Sequence, residues 1–144
     1  ELNSSSFNNF VKELNPDIVV YDRFVSEEQF GWRVVQECPK ALQILDTEDL
    51  HFLRSAREKV YKNEEEINLY NETTIREIAS ILRCDLSLLI SEFELNLLSE
   101  KFKISSSLLL YLPFMENLNQ FSSSEIKRFE ERKDFVFIGN FLHA

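Results

Sequence analysis

The chain has 144 residues, 44% of them hydrophobic and 28% charged, which suits one globular domain and excludes a disordered chain. Its 16 Lys and Arg against 25 Asp and Glu leave a net charge of −9, a poor match to nucleic acid, where each phosphate contact needs a cation. With 2 glycines and 3 prolines, collagen-like and linker-like chains are excluded, as is any loop built from several glycines, the dinucleotide fingerprint and the Walker loop included.

Five short apolar runs punctuate the chain: Ile18–Tyr21, Leu42–Leu45, Leu86–Ile90, Leu108–Leu112 and Phe135–Ile138. None alternates polar with apolar residues. Near-continuous hydrophobicity of this length predicts parallel strands buried on both faces. Helical stretches separate them. Ser26-Glu27-Glu28-Gln29 reads as a capping box, Ser91-Glu92-Phe93-Glu94 repeats it, and Ser122 to Glu125 offers a third. Between the second and third runs two helices are expected. The first follows Leu50, Leu53, Arg57 and Val60. The second carries the stripe Ile67, Tyr70, Thr74, Ile78, Ile81, with Glu72, Arg76 and Glu77 on its opposite face. Alternating strands and helices predict an α/β fold, with a parallel sheet joined by right-handed crossovers. Gly31 is out of place inside the first capped helix, where it costs up to ~1 kcal/mol against Ala. It calls for close packing around Trp32 or an approaching partner. Trp32 and Phe30 themselves read as core.

Cys38 and Cys84 form no CxxC pair and read as two buried thiols in a reducing cytosol. No apolar run reaches the ~18 residues of a membrane span, and no signal peptide is visible at the start of the chain. The expected location is cytoplasmic.

Ligands of open parallel sheets bind beyond the carboxyl ends of the strands. The richest such segment follows the second run: Asp46-Thr47-Glu48-Asp49-Leu50-His51-Phe52-Leu53-Arg54. A carboxylate beside His51 would raise its pKa or orient it as a general base, and Arg54 can share its helix face. The same spacing also fits a helix capped by Asp46 or Thr47 and followed by solvated charge. A metal site from Asp46, Glu48, Asp49 and His51 lacks a ligand pattern. Asp22-Arg23 suits a local ion pair better than an anion clamp. Gly139, Asn140 and His143 follow the fifth run.

Several of these segments resemble one family. Phe135 to Ala144, with its Gly139-Asn140-Phe141-Leu142-His143 turn, is similar to the start of the donor-binding domain in the group 1 family of GT-B glycosyltransferases. Pro16 to Phe24, Glu28 to Arg33, Ile44 to Arg54 and Cys84 to Glu94 look like segments of that family's amino-terminal domain, in the family's order. The resemblance implies a partial Rossmann-like, acceptor-side domain over residues 1–133. Residues 134–144 would be the first strand and loop of a carboxyl-terminal donor domain. The implied activity is metal-independent sugar transfer from a nucleotide-sugar donor to a sugar or glycan acceptor, without a cofactor. His51 and Asp49 would be catalytic. Asp46, Glu48 and Arg54 would bind on the acceptor side, and Gly139, Asn140 and His143 on the donor side. The early strands of the family's first domain and most of its donor domain have no counterpart, so the resemblance implies a piece of a longer enzyme, inactive alone. Uncovered sheet surface would then favour self-association. The alternative from a different class is a non-catalytic α/β binding or interaction module.

Overall fold

The computed structural model describes residues 4–63, 66–115 and 127–136. The chain divides into two compact units, Glu1–Phe114 and Met115–Ala144. The first holds helices α1 (Ser6–Leu14), α2 (Arg23–Glu37), α3 (His51–Asn63), α4 (Glu72–Arg83) and α5 (Glu92–Asn96), the last running into a π-helical turn over Leu97–Lys101. Its strands are β1 (Ile18–Asp22), β2 (Leu42–Asp46), β3 (Leu86–Leu89) and β4 (Leu109–Tyr111). They form one parallel sheet in the order β1-β2-β3-β4. The α/β, Rossmann-like class and four of the expected strands are therefore present, each within two residues of its expected ends.

Strand order equals chain order, and this decides where the helices go. Right-handed crossovers between successive neighbours deliver every connecting helix to the same side of the sheet. On that side Tyr21, Leu45, Leu89 and Leu109 are buried with Val34 of α2, Leu53 of α3, Ile81 of α4 and Leu98. The other side stays open. Ile18 and Val20 are each 56% exposed, Leu42 41% and Leu110 44%. The runs do not mark strands buried on both faces, as their composition implied; they mark strands with one covered and one bare apolar face.

Local signals explain several element ends. Asn71 starts α4 through a reciprocal capping box: its Oδ1 accepts the Thr74 backbone N–H at 3.1 Å, and Thr74 Oγ1 accepts the Asn71 N–H at 3.2 Å. Hence Ile67 and Tyr70 lie before the helix rather than on its stripe. Ser91 caps α5 as expected, accepting the Glu94 N–H at 3.4 Å. Ser26 caps nothing. The chain turns from β1 straight into α2 at Arg23, whose φ of 63° lies in the left-handed region, so Ser26 and Gln29 are already inside the helix.

Gly31 is explained by its own helix. Glu27, one turn back, is buried, and a Cβ on Gly31 would meet its Oε1 at 2.6 Å. Arg83 of α4 grips that carboxylate through Nε and Nη2, and Arg76 of α4 grips Glu28 in the same way. Trp32 is not core; it is 62% exposed on the rim of a groove of about 650 Å³ beside Gly31 and Val35. Cys38 and Cys84 are buried free thiols, and burial pushes the Cys84 thiol up to about 12.

In the second unit a 3₁₀ turn, Phe129–Glu131, is closed by the Arg128 N–H donating to the Glu131 carboxylate at 3.0 Å. Phe135 and Val136 belong to no strand. The rest of the expected fifth strand, the third serine cap, and Gly139, Asn140 and His143 lie outside the described residues. Among the described residues no helix is long and apolar enough to cross a membrane.

Candidate functional site at the carboxyl edge of the sheet

The segment from Asp46 to Arg54 joins β2 to α3 at the carboxyl edge, where such sheets hold their ligands. Its path is fixed by short-range bonds. Asp46 Oδ1 accepts the Glu48 N–H at 3.2 Å, and the buried Thr47 hydroxyl donates to the Leu88 carbonyl of β3 at 2.8 Å. Glu48 takes a left-handed backbone, φ 57°. Its carboxylate lies 3.6 Å from Arg23, the other left-handed residue of this edge. Asp22 and Asp46 are cross-strand neighbours in register. Arg23 Nε and Nη2 bind both Asp22 oxygens at 3.1 and 3.0 Å, which holds that carboxyl below its ordinary range. The local ion pair expected from Asp22-Arg23 is present.

Asp49, His51 and Arg54 come together. Arg54 Nη1 donates to both Asp49 oxygens at 3.0 and 2.9 Å, and Asp49 Oδ1 lies 3.5 Å from His51 Nε2. The last separation exceeds a normal hydrogen bond, so among the described residues the buried Nε2 has no hydrogen-bond partner. Phe24 meets the imidazole edge-on, with ring centroids 5.4 Å apart. The His51 pKa is lowered, first by burial and then by Arg54, and these outweigh the carboxylates of Asp49 and Glu48. Asp49 and Glu48 do pull the pKa upward, as expected of nearby carboxylates, but the net shift is downward, toward the neutral form that a general base requires.

Neither Asp46 nor Thr47 caps α3. Its first backbone donors go instead to two carboxylates from other elements. Leu50 N donates to Glu94 Oε1 at 3.2 Å, and His51 N and Phe52 N donate to the two oxygens of Glu77 at 3.1 and 3.0 Å. Glu77, placed on the exposed face of its helix by its charge, is 1% exposed. Burial pushes its carboxyl up to about 7, against the pull of the two N–H bonds. Glu94 is raised as well, chiefly by burial, and its Oε2 has no hydrogen-bond partner among the described residues. A helix start is a natural anion site; here the chain fills it with its own side chains. Sequence reading missed both residues, although Glu77 sits three places after Thr74 and four before Ile81, within the buried arc of α4.

Among the described residues no three His, Cys, Asp or Glu side chains group to hold a metal ion. No protein-family model matches the chain, and no curated protein and no solved structure matches it.

Proposed function

We propose that the chain is the acceptor-side part of a cytoplasmic, metal-independent glycosyltransferase of the GT-B kind, which moves a sugar from a nucleotide-sugar donor to a sugar or glycan acceptor. The supporting observation is the contact of Asp49, His51 and Arg54 at the carboxyl edge of a parallel sheet. In this reading His51, its pKa lowered by burial and with Asp49 3.5 Å from its Nε2, receives the proton of the acceptor hydroxyl. Arg54, whose side chain is 60% exposed, and Asp49 are the groups an acceptor meets first. Asp46 and Glu48 bind beside them. Gly139, Asn140 and His143, which lie outside the described residues, would bind on the donor side.

Two observations favour a non-catalytic binding module instead: His51 Nε2 is buried, and the start of α3 is already filled by Glu77 and Glu94. A single variant separates the two readings. In the full-length protein, His51→Ala should lower transfer ~10²–10⁴-fold and leave the melting temperature near that of the parent. Unchanged transfer with a lowered melting temperature would make His51 a packing residue.

A further inference from the structure

We propose that the open face of the sheet docks an amphipathic helix of another polypeptide, its apolar side on Ile18, Val20, Leu42, Ile44 and Leu110 and a basic residue over the carboxyl edge at Asp22 and Asp46. Register aligns the open face in rows: Ile18 beside Leu42, then Val20 beside Ile44, then Asp22 beside Asp46 with Leu88 and Leu110 beyond. The first two rows are wholly apolar. Parallel sheets almost always carry helices on both faces, since βαβ crossovers are their source of cover, and the crossovers between the four described strands lie on one face.

Charge selects the occupant. The third row begins with two neighbouring carboxylates, and the adjoining loop adds Glu48 and Asp49. Four carboxylates face two guanidinium groups, Arg23 and Arg54, so this corner carries 2 − 4 = −2. Among the described residues no cation pairs with Asp46. A second copy would bring the same acidic corner and a net charge of −9. A helix ending in Lys or Arg brings the complement, and at a helix carboxyl terminus that cation also suits the helix dipole.

The test uses the whole chain and a labelled synthetic helix of about 18 residues, leucines at three- and four-residue spacing and two lysines in its last turn. A twin carries glutamates in place of the lysines. The lysine helix should bind saturably, with the twin at least ~10-fold weaker. Val20→Lys should abolish binding, and Asp46→Asn should bring the two helices closer in affinity. Val20 is exposed, so the substitution should leave the melt intact; should it not, Leu110→Lys interrupts the same face from β4. Equal binding of both helices would overturn the proposal, as would binding indifferent to Val20→Lys and Leu110→Lys. So would a chain that binds neither helix. Sedimentation showing a dimer that Val20→Lys splits would also overturn it, with a second copy as the occupant.

Discussion

The Glu77 carboxylate of α4 accepts the backbone N–H of His51 at 3.1 Å, so the residue proposed as a base begins a helix held by a buried acid from another helix. That acid titrates at about 7, against an ordinary 4.5. The folded state therefore binds its proton more tightly than the unfolded chain does. The stability it lends is complete below pH 4.5 and is lost as pH rises through about 7. Urea unfolding between these limits should show the chain weakening by up to roughly 3 kcal/mol. Glu77→Gln should be less stable below pH 4.5, because an amide serves two N–H donors poorly, and this deficit should shrink as pH rises through about 7, because the variant's pH slope is flatter. An unchanged slope would assign the pH response elsewhere.

The turn that presents Asp49 runs through Glu48 in left-handed backbone. Glycine adopts that conformation without strain, whereas other residues pay ~1–2 kcal/mol. Glu48→Ala and Glu48→Gly both remove the exposed carboxylate and its 3.6 Å contact with Arg23. Comparing them isolates the backbone: the Gly variant should unfold ~1 kcal/mol later than the Ala variant. Equal stabilities would mean the turn relaxes out of its left-handed form.

Gly31 and Glu27 should be coupled. In the parent chain a Cβ on Gly31 displaces a carboxylate that Arg83 holds in place, so Gly31→Ala should destabilise despite better helix propensity. In a Glu27→Ala background the obstacle is gone, and the same change should stabilise by up to ~1 kcal/mol. The opposite signs are the readout of a double-mutant cycle. Gly31→Ala with the same effect in both backgrounds would show that Glu27 moves aside freely.

The four strands were legible because their apolar runs are short, aliphatic and bounded by polar segments. Legible too were the Ser91 cap and the gathering of polar groups after β2. What escaped depends on partners distant in sequence. Glu77 reads as solvated charge until the unpaired N–H groups of α3 are known to lie over it. Ser26 carries a valid cap signature, yet α2 has already begun at Arg23. Trp32 reads as core on hydrophobicity, although the helix turns it outward. The open face was the largest gap, because Ile18 and Val20 have the same composition whether a second helical layer covers them or not. At the candidate site the cluster was readable but the direction of the His51 shift was not: burial, which no local spacing reveals, outweighs the carboxylates.

The placement of two helices between β2 and β3 bears on chain entropy. Pairing Ile44 with Leu86 closes a loop nearly twice as long as the one closed by pairing Ile18 with Leu42. Closure cost grows only with the logarithm of length, so doubling a loop adds about 0.6 kcal/mol. For that small penalty the connection carries Asp49, His51, Arg54 and Glu77 together. Lengthening it by a few residues at the segment between α3 and α4 should barely affect folding, whereas inserting between Asp46 and His51 would separate the helix start from both of its buried acids.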